Sequence, residues 1–155
     1  MENPSDQVRL YLPRIVAEWS QVAIGPPWAG LTEPQRIDFL PPLMTATLRA
    51  TICEPPIPAA RSEAIRAAAE HGGERRAQGF TEQDVVLEYY LIRLALWTAT
   101  RAAAPVPLRP LAGARADALL SVLALVTLHA YADEGGGGVP DRWLGALDAL
   151  LGEPR

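Results

Sequence analysis

"AAEHGGERRAQGFTEQDVVLEYYLIRLALW", residues 68–97, is the stretch of sequence that decides the fold. Its first half is polar and alanine-rich, and its second half is a long apolar run without alternating polar positions. A run of this length favours a buried helix over a strand. Gly79 stands where a helix ends in a left-handed residue, and Thr81 to Asp84 resembles a capping box with Asp in its fourth place. The stretch therefore predicts two helices joined by a short turn.

The rest of the chain shows helical periods as well. One apolar stripe marks the first segment: Val8, Leu12, Ile15, Val16 and Trp19. Pro13 lies inside that pattern, so the helix begins near it or kinks there. No strand pattern, internal repeat or second domain is visible. We therefore predict a single all-α domain over residues 1–155, a bundle of about five to seven helices with the apolar helix near 82–103 at its centre.

A row of polar residues precedes that apolar helix. His71, Arg75 and Gln78 are spaced so that they share one narrow helix face, and small alanines beside them allow a neighbouring helix to approach closely. The apolar helix offers Glu88 and Arg93 as its interior charges, and a buried charge has to be paired or hydrogen-bonded. We predict that Glu88 meets Arg75 or His71 across the hairpin, so that the row is a latch between two helices.

His71 also permits other interpretations. A phosphate-accepting histidine is disfavoured because no lysine follows it and Gly72-Gly73 is a poor helix continuation. A zinc site is not predicted, because two histidines and one cysteine lack ligand spacing. A haem-bearing helical domain needs a proximal histidine in a large apolar pocket, and His71 or His129 could serve in that role.

Composition narrows the classes of function. The net charge of −4 predicts no broad basic surface for nucleic acid or acidic lipid. All 14 basic residues are arginines, which excludes Schiff-base lysines and lysine-dependent phosphate loops. No serine lies in an elbow or triad context, so we expect no enzymatic activity. The single Cys53, the missing signal-peptide pattern and an apolar run over 118–130 that is too short for a bilayer lead us to expect a cytoplasmic protein.

Three pieces of the sequence follow one another in an informative order. They are LPRIVAEW (residues 12–19), LTEPQRIDFLPPLMTATLRA (residues 31–50), and His71-x-x-x-Arg75-x-x-Gln78-Gly79-Phe80 followed by Glu88-Tyr89-x-x-x-Arg93. Together they resemble the N-terminal domain of RsbT co-antagonist proteins of the RsbRD type, over about residues 8–131. Similar domains precede kinase or PAS modules in bacterial sensor histidine kinases.

The resemblance implies a helical regulatory domain that senses or relays a signal and is not itself catalytic. We predict that the residues of the third piece form the structural or signalling latch. We also predict a helix over about residues 58–78, and the departure of Gly72-Gly73 from the family pattern leaves the continuity of that helix open. Kinase activity would belong to a separate output domain, which we do not expect in this chain, whether it is an excised domain or a stand-alone relative.

Two classes of function follow from these observations. The first is a sensory or interaction domain that forms a homodimer and contacts a signalling protein or an output kinase domain. Its dimer interface would include the helix over residues 5–22, with Tyr11, Ile15 and Trp19 as contact candidates and Tyr11 as an exposed anchor. The alternative for this helix is simple packing on the central one. The second class of function is a domain that binds an apolar small molecule or haem between the central helix and its neighbours.

Overall fold

A computed structural model of the chain describes residues 3–103, 109–132 and 141–151. Within these ranges it contains seven α-helices, one 3-10 turn (Trp28–Gly30) and no strand, which confirms the predicted all-α bundle. The helices are α1 (Pro4–Val22), α2 (Glu33–Ile37), α3 (Leu40–Thr51), α4 (Ala60–Ala77), α5 (Glu82–Ala103), α6 (Pro110–Ala132) and α7 (Asp141–Leu151).

The turn between α4 and α5 follows its local sequence. Gly79 has a φ of +83°, a left-handed conformation that glycine adopts without steric penalty. The Thr81 hydroxyl accepts from the Asp84 backbone N–H at 3.1 Å, and the Asp84 carboxylate accepts from the Thr81 backbone N–H at 2.9 Å. The predicted glycine cap and the Asp-containing capping box are both confirmed.

The stripe of α1 faces the core of the same chain. Tyr11, Ile15 and Trp19 are all buried, and the Trp19 ring lies edge-on to Trp28 and Phe39, with centroids 5.9 and 5.7 Å apart. The expectation that Tyr11 is an exposed anchor is wrong, and the three residues do not form a free dimer surface. The helix packs on α5 instead and runs through Pro13 without interruption from Pro4.

Helix α5 is less central than its composition predicts. One face, which includes Val85, Ile92 and Leu96, is fully buried against neighbouring helices. The opposite face is exposed although it is apolar, and it carries Val86, Leu87, Tyr90 and Leu94. The short helix α3 is buried more completely than α5 and contacts α1, α4 and α6. The helix over 82–103 therefore lies in the core with its inner face, as predicted, while its outer face is exposed, which its apolar composition did not predict.

Helix α4 is continuous through Gly72 and Gly73. A Cβ on Gly72 would overlap the carbonyl oxygen of Thr127 and lie 3.0 Å from the backbone nitrogen of Tyr131, both on α6. Gly73 faces open space. The helix is continuous because Gly72 allows α4 and α6 to cross closely, and this packing stabilises the helix against the low helix propensity of glycine.

Helix α6 is long and apolar enough to cross a membrane, judged by its length and composition alone. Its mean hydropathy reaches 1.7 over an 18-residue window. The apolar part of the helix is therefore longer than the run over 118–130 that we considered too short for a bilayer. In this structure 44% of that window is buried inside the protein, against α3, α4 and α5. The core helix of a folded domain passes the same test.

The two adjacent glycines provide a matched pair of variants. Gly72→Ala should destabilise the fold by about 1–3 kcal/mol, because the added methyl group meets the α6 backbone, which cannot move away as a side chain could. Gly73→Ala should be neutral or stabilise by up to about 1 kcal/mol through better helix propensity. Urea unfolding of both variants measures the difference, and equal stabilities would contradict the close crossing.

Candidate functional site

The Glu88 carboxylate lies at the centre of a buried polar cluster, named here the Glu88 cluster and consisting of Trp28, His71, Arg75 and Glu88. Arg75 donates to it from Nε at 3.1 Å to both carboxylate oxygens and from Nη2 at 2.9 Å to Oε2. The Trp28 indole N–H donates to Oε2 at 2.6 Å, and His71 Nε2 bonds Oε1. The predicted contact of Glu88 with Arg75 or His71 is present, and both residues make it.

Arg75 joins three segments of the chain through its guanidinium. It is fully buried, and all five of its N–H donors are directed at acceptors. Besides Glu88, these acceptors are the Gln35 carbonyl at 2.9 Å, the Gln78 side-chain oxygen at 2.7 Å and the Arg36 carbonyl at 3.4 Å. The guanidinium therefore satisfies carbonyl groups of α2 while it pairs with α5.

Two aromatic rings cover the guanidinium of Arg75. Its Cζ atom lies 4.8 Å from the centroid of Phe39 and 4.6 Å from that of Phe80. At these distances the ring faces attract the cation, and the attraction strengthens when water is excluded. The rings also keep solvent away from the ion pair. Arg75 is thus held by hydrogen bonds in its plane and by aromatic faces near it.

Burial and neighbouring charges shift the pKa of Glu88 in opposite directions. Burial by itself raises the pKa of its carboxyl group, but the hydrogen bond and charge of His71, and then those of Arg75, more than offset burial. The pKa of Glu88 therefore lies below its usual value, and the group is an anion near neutral pH. Since an ionised carboxylate can only accept hydrogen bonds, His71 Nε2 carries the proton that they share.

His71 is almost fully buried but incompletely hydrogen-bonded. It is 1% exposed, and its ring stacks on Phe39 with centroids 3.8 Å apart and an interplanar angle of 11°. Its Nδ1 atom is buried and has no hydrogen-bond partner among the residues that the structure describes. A phosphate-accepting histidine has to meet a donor at the surface, and His71 in this state does not.

A second polar chain ties the hairpin to α6. The Thr127 hydroxyl donates to the Ala68 carbonyl at 3.0 Å, so the Tyr89 hydroxyl, 2.6 Å away, is the donor to Thr127. Burial raises the pKa of Tyr89, which keeps this hydroxyl protonated. The Tyr131 hydroxyl donates to the Phe80 carbonyl at 2.6 Å. Tyr89 thus belongs to the helix contacts and not to the Glu88 cluster.

The predicted site residues divide into two groups. The structure brings His71, Arg75, Gln78, Phe80 and Glu88 together, with Gly79 in the turn between their helices. Arg93 lies elsewhere: its Nε is 3.3 Å from the Asp117 carboxylate, and its side chain is half exposed. Five residues along a helix correspond to a rotation of about 140°, so residue 93 cannot face the same side as residue 88. The placement of Arg93 in the latch is wrong.

Trp28 and Phe39 are the members of the site that sequence reasoning missed. Trp28 lies in a Gly-Pro-Pro-Trp-Ala-Gly break that shows only a loop, yet it donates to a carboxylate 60 positions away. Phe39 lies just before a Pro-Pro pair and contacts both His71 and Arg75. A tryptophan within a proline-rich turn was the one available signal, because loops seldom retain a large aromatic residue without a buried contact.

A cavity of about 370 Å³ lies directly against the cluster, between α4 and the corner of α2 and α3. Its lining residues are Pro34, Gln35, Asp38, Phe39, Pro42, Ala67, Glu70, His71, Glu74 and Gln78. This is not the apolar space around α5 that a haem or apolar ligand requires. His71 Nε2 is committed to Glu88, and the ring of His129 lies edge-on to Trp143. Neither histidine has the surroundings expected of a proximal haem ligand.

Comparison with known proteins identifies no relative of this chain: no family model, no curated protein and no solved structure matches it.

The pairing of Arg75 with Glu88 can be tested by a double-mutant cycle. Glu88→Ala leaves a cation in the helix interface and should cost on the order of 3–5 kcal/mol. Removing both charges should cost less than the sum of the single changes, and simple additivity would reject the pairing. The exposed pair of Arg93 and Asp117 is the matched control, for which a coupling of about 0–1 kcal/mol is expected.

The lowered pKa of Glu88 predicts a dependence of stability on pH. A carboxyl group whose pKa is lower in the folded state contributes stability above its unfolded-state pKa, which is about 4.5 for glutamate. That contribution is lost as the pH falls through the folded-state pKa. Glu88→Gln should therefore flatten the curve of unfolding free energy against pH on the acidic side, measured by urea unfolding. An unchanged slope would show that Glu88 is not held as an anion.

Proposed function

We propose that this chain is a non-catalytic sensory or protein-interaction domain of a bacterial signal-transduction system, acting in the cytoplasm as a homodimer. One observation carries the proposal: α5 has a buried face that contains Glu88 and an exposed face that is apolar. Its inner face holds Glu88 within the buried cluster, and its outer face presents apolar side chains to solvent. A displacement at the cluster therefore moves the outer surface, because both belong to one helix.

The outer face forms a continuous apolar stripe. Val86, Tyr90 and Leu94 are spaced four residues apart and are 54%, 63% and 44% exposed. Leu87 lies beside them, and Leu125 extends the stripe onto α6, which lies alongside α5 through the contacts of Arg93 with Asp117 and Ser121. Continuous apolar surface of this kind is typical of an interface with another protein.

The occupant that we propose for this stripe is a second copy of the chain. The first turn of α5 carries the exposed Glu82 and its last turn carries the exposed Arg101, with the stripe between them. Two copies related by a two-fold axis near the middle of the stripe would place Glu82 of each near Arg101 of the other. Such a self-complementary arrangement is what a symmetric dimer requires. This face replaces α1 as the proposed interface.

The enclosure of the Glu88 cluster supports a role in signalling over one in catalysis. Its charged groups are almost wholly buried and bonded to one another, so they hold helices together and are not presented to a substrate. Under this proposal a signal weakens or strengthens the cluster, and the altered position of α5 changes the contact with the dimer partner, a signalling protein or an output kinase domain.

Light scattering over a dilution series from about 1 to 100 μM, the range of a moderate homodimer, tests the proposed interface. We expect a dimer mass for the wild-type chain and at least tenfold weaker association for Tyr90→Glu, which places a charge in the middle of the stripe. Ile24→Glu is the control, because Ile24 is equally exposed but is not part of α5 or α6, the helices that carry the stripe. A monomer mass at every concentration, or equal effects of the two variants, would contradict the proposal.

A further inference from the structure

The last turn of α6 is bonded to the hairpin of α4 and α5. The Tyr131 hydroxyl donates to the Phe80 carbonyl at 2.6 Å, and the Tyr131 carbonyl accepts from Arg76 Nη1 at 2.6 Å. The Arg76 guanidinium also lies over the Tyr131 ring, with Cζ 5.6 Å from its centroid. The last four carbonyls of a helix have no partner within that helix, so they depend on contacts of this kind. The end of α6 is therefore held by residues of the hairpin, and its position is tied to theirs.

Phe80 connects this turn of α6 to the Glu88 cluster. Its ring is buried and contacts two of the three residues that bond Glu88. The Cζ atom of Arg75 lies 4.6 Å from the ring centroid, and the Trp28 ring lies edge-on to it at 6.1 Å. The carbonyl of the same residue is the acceptor for Tyr131. A shift of the Phe80 backbone therefore moves the aromatic surface against which two donors to Glu88 are packed.

The opposite side of the same α6 turn contacts α7. Tyr131 follows His129 by two residues, and two residues along a helix correspond to a rotation of about 200°. The two side chains therefore project to nearly opposite sides. The His129 ring lies edge-on to Trp143 in the first turn of α7, with centroids 5.5 Å apart. Towards the other end of α7, Asp148 pairs with Arg61 of α4 at 2.6 Å. One turn of α6 thus reaches both α7 and the hairpin.

Helix α7 is held less firmly than the other members of this arrangement. It packs mainly on α6, at the edge of the bundle. Its anchoring contacts include the edge-on ring pair and an ion pair whose carboxylate, that of Asp148, is 66% exposed. Exposed ion pairs contribute little to stability, and elements with few buried contacts open at the lowest free energy. A signal can therefore displace α7 more easily than it can displace the hairpin.

We propose that the last turn of α6 is a relay by which the docking of α7 controls the Glu88 cluster, with Tyr131 and Phe80 as its positioning residues. When α7 is docked, the turn is ordered and Tyr131 holds the Phe80 carbonyl, so the aromatic cover of Arg75 stays in place. When α7 leaves, the helix end frays and Phe80 loses this support. Because Glu88 lies on α5, the relay regulates the outer apolar face of that helix. This last step rests on the proposed dimer function.

The Trp28 indole gives a direct readout of the cluster. Its N–H donates to Glu88, whereas the Trp97 indole donates to Asp117 on α6 at 3.3 Å. The chain has four tryptophans, so ¹⁵N NMR of the full chain can follow each indole resonance after assignment by single Trp→Phe variants. Tyr131→Phe removes only the hydroxyl group. It should shift the Trp28 resonance in the direction seen in Glu88→Gln, which weakens the acceptor, and leave Trp97 in place.

Trp143→Ala tests the input from α7. It should shift the Trp28 resonance in the same direction as Tyr131→Phe does. The two changes together should have no more effect than the larger one alone, because they act on one route. Leu111→Ala is the matched control, since Leu111 is 59% exposed at the other end of α6, and its truncation should leave the Trp28 resonance unchanged.

Light scattering separates this relay from the proposed dimer. Tyr131→Phe and Trp143→Ala should each weaken association by about fivefold, the lower end of typical coupling between sites. The relay is overturned if the Trp28 resonance moves in neither variant, if Trp97 moves equally, or if the two effects add. A shift of Trp28 with unchanged association overturns its regulatory role. A monomeric wild-type chain rejects the proposed dimer, and the NMR result then still decides whether α7 controls the Glu88 cluster.

Discussion

The Glu88 carboxylate is the interaction on which the rest of this structure depends. A buried anion is unfavourable unless every lone pair is engaged, and its partners must therefore be held in position. Here the partners come from the 3-10 turn and from α4, as Trp28, His71 and Arg75. Because one carboxylate gathers donors from separate parts of the chain, it sets how α4 and α5 lie against the turn that follows α1.

Arg75 also connects α2 to the buried carboxylate, which a lysine in its place could not do. Its planar fork bonds Glu88, the Gln35 carbonyl and Gln78 at the same time. Its faces lie near Phe39 and Phe80. An ammonium group has neither this flat shape nor donors in fixed directions. Two of the residues that this fork bonds, Gln35 and Gln78, also line the 370 Å³ cavity, so the cavity lies directly beside the ion pair without including Arg75.

Local sequence was sufficient to predict several structural elements. Helical period, the Gly79 cap and the Thr81 capping box depend on neighbours within a few residues, and each was predicted correctly. The polar row was predicted because residues three and four apart share a helix face whatever the fold. The pairing of Glu88 followed from the rule that a buried charge requires a partner, and the short turn left few candidates.

Only tertiary structure decided which faces are covered. The α1 stripe with Ile15 and Trp19 and the α5 stripe with Tyr90 are both apolar in sequence, yet Ile15 and Trp19 are buried and Tyr90 is exposed. Gly72 reads as a weak point in a helix until α6 is found beside it. Trp28 reaches Glu88 from a distant loop. A sequence period shows that a face is apolar, whereas the identity of its neighbour depends on contacts between segments far apart in the chain.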